Sequence, residues 1–426
     1  MKKTLLLILV LALSLAGTAN AQELNAGDIA WVSASSAMIM LMTPALGFFY
    51  AGLVHRKNLV STLFQCLAIF AIVSLVWALW AYSIAFGPSI KGIFGDLSWA
   101  GLKTVAFEPS KTYGTTIPHL LFFFFQLKFA AITPALIIGA FVGRINFKSL
   151  IIFIILWATL IYAPIAHWVW NADGWLFNLG AVDFAGGTVV HIAAGLSALA
   201  AALVIGKRNG NGHEDKPNSI PFVILGTALL WFGWFGFNAG SSLAANGLAV
   251  SALVVTNLAA AAAALSWMAV DWIKKGKPSA IGFCIGAVCG LVAITPASGF
   301  VGPMSSIIIG FVAGIISNFI SSFRVTRTRI DDTLDVFACH GVSGIWGALA
   351  TGLFANAAIN KVNGLFFGNP MQFVYQLIAV VVVAAYAFIG SYILLKALSL
   401  INNIRVSPEE EEKGLDHSQH GEEAYS

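Results

Sequence analysis

Asp183-Phe-Ala-Gly-Gly-Thr-Val-Val-His191-Ile-Ala-Ala-Gly195 opens an apolar run that continues to Gly206 and stops at Lys207-Arg208. From Phe184 to Gly206 the run is about 23 residues, enough for a helix that crosses a bilayer. Asp183 is a good helix N-cap, because its carboxylate can accept from the free N–H groups of a first turn. His191 is the only ionisable side chain inside the run. At helical spacing Gly187, His191 and Gly195 share a face, with Thr188, Ala194 and Ala198 beside them. Small residues on one face let another backbone come close. The imidazole is therefore expected in a packed interior or a pore, not against lipid.

A second stretch answers the first. Asp335-Val-Phe-Ala-Cys-His340-Gly341 leads into Gly344 and Gly347, again with His and Gly on one face. An ionisable group inside a membrane helix is a functional candidate by default. A single buried histidine serves as readily as a structural residue bonded to a carbonyl. Two in matching contexts favour function. Imidazole titrates near neutrality, and its two nitrogens can donate and accept at once.

Around these stretches the composition sets the class. Of 426 residues, 58% are hydrophobic and 10% charged, with a mean hydropathy of +0.85. Soluble domains carry about 25% charged residues. An all-α, polytopic membrane protein is expected. Lys2 and Lys3, the apolar stretch Leu5 to Ala16 and Ala19-Asn20-Ala21 read as a cleaved signal peptide over residues 1–21. Eleven apolar runs follow, at about 27–53, 60–87, 115–142, 148–170, 184–206, 219–243, 250–273, 280–297, 302–323, 335–356 and 371–401.

Charge orients them. Cleavage places the mature N-terminus outside, and an odd number of crossings leaves the C-terminus in the cytoplasm. The inner segments then hold Arg56, Lys57, Arg144, Lys148, Lys207, Arg208, Lys216, Lys274, Lys275, Lys277, Arg324, Arg327, Arg329, Lys396, Arg405 and Lys413. The outer loops hold Lys91, Lys103, Lys111 and Lys361. Sixteen against four is a strong positive-inside bias.

An internal repeat is visible. Ala131-Ile-Thr-Pro-Ala135 recurs as Ala293-Ile-Thr-Pro-Ala297, Tyr50-Ala-Gly52 is echoed by Asn238-Ala-Gly240, and His191 pairs with His340, always five helices apart. Five is odd, so the halves run in opposite directions, as in many transporters. The expected organisation is a first five-helix repeat at 22–206, a cytoplasmic loop at 207–218 and a second repeat at 219–356. An outer loop with the eleventh helix follows at 357–401, and a cytoplasmic tail at 402–426. The tail, with Glu409 to Glu412, is expected to be solvated and partly disordered, with a regulatory dock as the alternative.

The remaining candidates are aromatic or acidic. Phe122 to Phe125, Gln126 and Phe129 fall early in the third helix, where Phe125 and Phe129 share a face. Trp168 and Trp170 end the fourth, and Trp231 to Ser241 form an aromatic run in the sixth. Most such rings are interfacial or lipid-facing. Gly236 and Gly240 mark a tightly packed face around Phe237, however, and ring faces attract small cations. Asp331, Asp332 and Asp335 are expected as caps, or as partners of Arg324 to Arg329. Cys66, Cys284, Cys289 and Cys339 lie in apolar segments and read as small buried hydrophobes. No Walker A loop, no convincing metal-ligand spacing, no serine nucleophile elbow and no nucleic-acid motif is present, so neither an enzyme nor a cofactor is expected.

The stretches at Asp183–His191, Trp234–Ser241 and Asp335–Gly341, in that order, resemble the ammonium transporter (Amt) family, and the likeness extends through Glu412 to Tyr425. The resemblance implies an eleven-helix protomer in the cell (inner) membrane and a homotrimer with one pore per subunit. It implies conduction of ammonia drawn from external ammonium, with methylammonium as a further substrate. It also implies a PII-type nitrogen-regulatory partner on the cytoplasmic face. By the same resemblance Phe125, Phe129, Trp170 and Ser241 bind ammonium, with Gln126 adding polarity, and Phe129 and Phe237 form a stacked gate. His191 and His340 line the pore, and Asp183 is structural. An ammonium-responsive receptor on this scaffold is the alternative. Lys128 departs from the family pattern, since a cation beside a cation site would repel substrate. It is expected to snorkel outward or to pair with a carboxylate.

Overall fold

The structure is a computed structural model that describes residues 23–209 and 217–425. The signal peptide at 1–21 and Lys216 lie outside the described residues. Eleven apolar helices form the body: α1 Ala26–Leu53, α2 Arg56–Phe86, α3 His119–Ala140, α4 Phe147–Leu179, α5 Gly187–Ile205, α6 Ile220–Gly240, α7 Gly247–Lys275, α8 Ala280–Ile294, α9 Pro303–Arg327, α10 Phe337–Phe354 and α11 Pro370–Ile401. All but α8 are long enough to cross a membrane alone. A two-residue hairpin, Ser89–Ile90 against Phe94–Gly95, is the only sheet among the described residues.

The helix ends follow local chemistry. The side chains of Asn25, Asn146, Ser219, Asn246 and Ser279 each accept from a first-turn N–H, as preferred N-cap residues do. Pro303 and Pro370 open α9 and α11, where a missing N–H costs nothing.

Close packing of the helices depends on paired glycines. Gly286 and Gly290 of α8, and Gly310 and Gly314 of α9, all lie against the backbone of α7 at Ala259 and Ala263. A Cβ at any of them would collide. These are small-xxx-small contacts, the arrangement that lets membrane helices approach closely.

One end of the bundle is held by charged groups. Arg144, fully buried, donates to Gly206 O at 2.7 Å, Asp331 Oδ2 at 3.1 Å and Thr333 Oγ1 at 2.9 Å. Arg208 Nη2 meets Asp331 Oδ1 at 2.9 Å. Burial pushes the Asp331 carboxyl up, but the hydrogen bonds of Arg208 and the charge of Arg144 outweigh it, so it sits at about 2. Asp331 thus pairs with arginines of the first half of the chain. Asp335 takes Arg324 Nε at 2.8 Å, as expected.

The tail differs from expectation. It is folded against the charged end instead of being solvated throughout. Ser407 and Glu410 form a capping box at Pro408–Lys413. Arg405 Nη2 reaches Glu411 Oε2 at 2.7 Å, and Leu415 N donates to Asn58 Oδ1 at 2.8 Å. Asp416 accepts from Val60 N at 3.0 Å and Ser61 N at 2.7 Å. First-turn N–H groups of the α-helical part of α2, which begins at Leu59, are thereby satisfied by the tail, which ties it down.

Candidate functional site

The site is built on two π-helical turns, each an over-wide helical turn of a kind often found at functional sites. Gly187–Ile192 carries His191, and Phe337–Val342 carries His340. The first turn does not begin as the sequence suggests. Asp183 is not itself the N-cap residue. Gly186 is, with φ of 113°, a left-handed conformation that costs a residue without Cβ little. That turn folds the chain back over Asp183. Its carboxylate then accepts from Gly186 N at 2.8 Å, Gly187 N at 2.7 Å, Thr188 N at 2.7 Å and Thr188 Oγ1 at 2.5 Å. Its backbone carbonyl accepts from Trp170 Nε1 at 2.9 Å. One residue so fixes both the histidine turn and an aromatic ring above it.

The second turn uses the same device. Asp332 accepts from Val336 N at 3.1 Å and Phe337 N at 2.8 Å. Asp183 precedes His191 by eight residues, and Asp332 precedes His340 by eight. Asp332 thus fills the capping role expected of it, whereas Asp335 faces Arg324 and Ser321 instead. The shared spacing was the available signal.

The turns meet where glycine permits. A Cβ on Gly195 would overlap the backbone of Gly341, and one on Gly344 would stand 3.1 Å from the Cβ of His191. The two imidazoles are brought together, with ring centroids 5.3 Å apart, planes within 18° and Nδ1 to Nδ1 of 3.3 Å. One Nδ1 must donate and the other accept. Nε2 of His191 has no hydrogen-bond partner among the described residues. Trp234 stacks on His191 at 5.4 Å and is held by its own N–H to Thr295 Oγ1 at 2.8 Å.

Both histidines line a cavity of about 10 Å³ open to the centre of a water molecule, walled by Met42, Leu46, Ile132, Leu136, Val190, Leu230, Trp234, Phe237 and Val288. That is room for roughly one water. Phe237 closes one end, 6.0 Å from His191, and Phe129 lies on it with centroids 4.3 Å apart. Beyond Phe129 come Phe125 at 5.0 Å and Trp170 at 5.8 Å, edge-on. Ser241 follows Gly240, where a Cβ would stand 2.9 Å from the Phe125 ring. Its hydroxyl donates to Phe237 O at 2.9 Å, which leaves its lone pairs free. Two further polar atoms in this region, Ser35 Oγ and Gln126 Oε1, are buried without partners among the described residues. Ser35 packs against Gly240, and no sequence motif singled it out.

Lys128 is buried, with its ammonium 3.5 Å from the centroid of Phe124 and 5.2 Å from that of Phe70. Those rings are not members of the Phe125–Phe129–Trp170 group. It forms no pair with a carboxylate among the described residues. The four cysteines are free and buried, and Cys289 Sγ touches Cys339 Sγ at 3.5 Å.

Set beside known proteins, the chain matches the pattern of the Ammonium Transporter Family over residues 30–425. It is 48% identical over 401 residues to the ammonium transporter Amt1 of Archaeoglobus fulgidus, covering 94% of this chain and 99% of that one. Among solved structures it resembles Mep2 of Saccharomyces cerevisiae, with a TM-score of 0.85 at 35% identity over 91% of this chain and 89% of the other. It also resembles a structure titled Sensor Amt Protein, with a TM-score of 0.86 at 31% identity over 92% and 98%.

Proposed function

The chain belongs to the ammonium transporter family, a family of transporters and not of enzymes, and on that footing we propose that it draws ammonium from the outer face and conducts ammonia between its two histidines. What supports this most is the Nδ1–Nδ1 contact of 3.3 Å inside an apolar cavity closed by Phe237, with Phe129 packed on it at 4.3 Å and 41° between the rings.

The chemistry follows from the groups in place. Phe125, Phe129 and Trp170 offer ring faces to a cation, worth about 0.5–2 kcal/mol each. Ser241 and the unpartnered Gln126 Oε1 offer acceptors for its N–H groups. Past Phe129 and Phe237 the walls are apolar, and a bare charge there loses its hydration with nothing to replace it. The proton therefore passes to water at the outer face before the gate, and the neutral amine crosses. Two neutral imidazoles sharing one Nδ1 proton expose one bare Nε2 and one Nε2–H. Ammonia, with one lone pair and three N–H bonds, satisfies both in turn. Potassium has no proton to lose and is refused.

The same footing carries the larger organisation. The protomers form a homotrimer in the cell membrane with one pore each, and methylammonium is also carried in nitrogen uptake. After signal cleavage the N-terminus is outside and the C-terminus cytoplasmic. Residues 22–206 and 219–356 are two oppositely running copies of one five-helix unit. A PII-type regulator docks on the charged face that holds Arg144, Arg208 and the tail.

Purified protein in proteoliposomes should take up radiolabelled methylammonium, and ammonium should compete. No uptake, or uptake that ammonium leaves unchanged, refutes the function. A receptor on this scaffold is the second reading, favoured by the likeness to the sensor Amt structure. Removing residues 402–426 separates the two, since a transporter keeps flux and a receptor loses all output.

A further inference from the structure

At the charged end many basic side chains are matched by carboxylates. Arg144 and Arg208 share Asp331, Arg324 meets Asp335 and Arg405 meets Glu411. Arg56, Lys57 and Lys413 form no ion pair among the described residues, and they converge on one cleft of about 340 Å³ between the start of α2 and the tail. Lys57 Nζ donates to a backbone carbonyl, Glu412 O, at 2.7 Å. Arg56 Nη2 reaches Tyr425 O at 3.5 Å, with its guanidinium 4.8 Å from the Tyr425 ring. Neither contact neutralises the charge. His55 and His417 line the cleft as well. His55 Nδ1 accepts from Lys57 N at 3.4 Å, which leaves its Nε2 to carry the proton.

Two carboxylates share the lining. Asp416 is buried, and its oxygens are taken up by Val60 N and Ser61 N. Glu423 is exposed and pairs with none of the three cations. The two walls are in close contact beside the cleft, since a Cβ on Gly414 would stand 2.4 Å from the Cβ of Lys57.

An arginine fork and two ammonium groups round one concavity suit an anion whose oxygens point several ways. A phosphate group has three such oxygens, whereas a carboxylate has two. A water molecule takes about 30 Å³ of the liquid, so the cleft has room for more than one phosphate. We propose that the cleft binds an anion carrying at least two phosphate groups, held by Arg56 and Lys57 on one wall and by Lys413 on the other. A soluble diphosphate and the headgroup of a two-phosphate lipid share this chemistry. Either one fastens the tail to the start of α2. The site goes beyond the transport reading and does not rest on it.

Calorimetric titration of the full chain in detergent with inorganic pyrophosphate tests the site. Binding is expected, and Arg56→Gln and Lys413→Gln should each weaken it about two- to fivefold, the contribution of an exposed ion pair. Glu423→Gln removes a repelling charge and should tighten binding. Lys277→Gln removes a cation outside the cleft and should leave it unchanged. No binding, or equal weakening by Lys277→Gln, overturns the site. The same titration in nanodiscs containing cardiolipin, or phosphatidylglycerol at equal charge, separates the two sources. Weaker pyrophosphate binding in the cardiolipin discs marks a headgroup as the occupant, and equal binding marks a soluble anion. Binding in neither disc overturns the proposal for the protein in a membrane.

Discussion

Replacing Asp183 with alanine should disturb the cavity between the histidines, which Asp183 does not itself line. The carboxylate satisfies the N–H groups of Gly186, Gly187 and Thr188 at 2.7–2.8 Å, together with the Thr188 hydroxyl, all of them buried. A buried donor that loses its acceptor costs about 1–3 kcal/mol. Three such donors, with some relaxation of the turn, amount to roughly 3–5 kcal/mol. The Asp183→Asn variant would keep one acceptor oxygen and should lose about half of that. Because the same turn carries His191 and the same residue holds Trp170, flux should fall in both variants. The assay is resistance to unfolding by denaturing detergent, run beside methylammonium uptake in proteoliposomes. An Asp183→Ala protein as stable and as active as the parent would refute the idea that this carboxylate builds the histidine turn.

Three further outcomes are expected. Phe237→Ala removes the inner ring of a tilted pair with centroids 4.3 Å apart, so the cavity should hydrate, and potassium flux, absent in the parent, should become measurable. At the charged end, burial and then the Asp335 charge raise the Asp332 carboxyl from 3.8 to about 6. A raised carboxyl favours the folded state most when protonated, so its contribution of about 3 kcal/mol is present below pH 3.8 and lost as pH climbs through 6. Unfolding measured from pH 4 to 7 should therefore show a steeper decline for the parent than for Asp332→Asn, and identical slopes would contradict it. Asp416→Asn weakens the tail's hold on the start of α2 and should speed tryptic cleavage after Lys413, as followed by mass spectrometry.

Much of this was legible in the sequence because helical periodicity in an apolar chain leaves little freedom. Gly195 and Gly344 share faces with His191 and His340, and those faces do meet at Gly341 and at the His191 Cβ. The contact of Phe129 with Phe237 was legible only through family resemblance, since the two residues are 108 positions apart and nothing local links them, and the rings meet tilted by 41° where a stack was expected. The over-wide turns were hidden, because a π turn has no propensity signature and depends here on Gly186 and on carboxylates upstream. The direction of Lys128 was half legible. Its position argued for turning away, but the partner proved to be two rings instead of a carboxylate. The tail was misjudged from its composition. Glu411 and Asp416 look like solvated charge in the sequence, yet one pairs with Arg405 and the other caps α2.

The central claim is that conduction runs between His191 and His340. Uptake of methylammonium, with the accompanying current, into proteoliposomes holding His191→Ala/His340→Ala protein tests it most directly. Loss of uptake, or uptake whose coupling to protons has changed, is the expected result. Parental uptake, selectivity and current in the double variant would mean that substrate passes elsewhere.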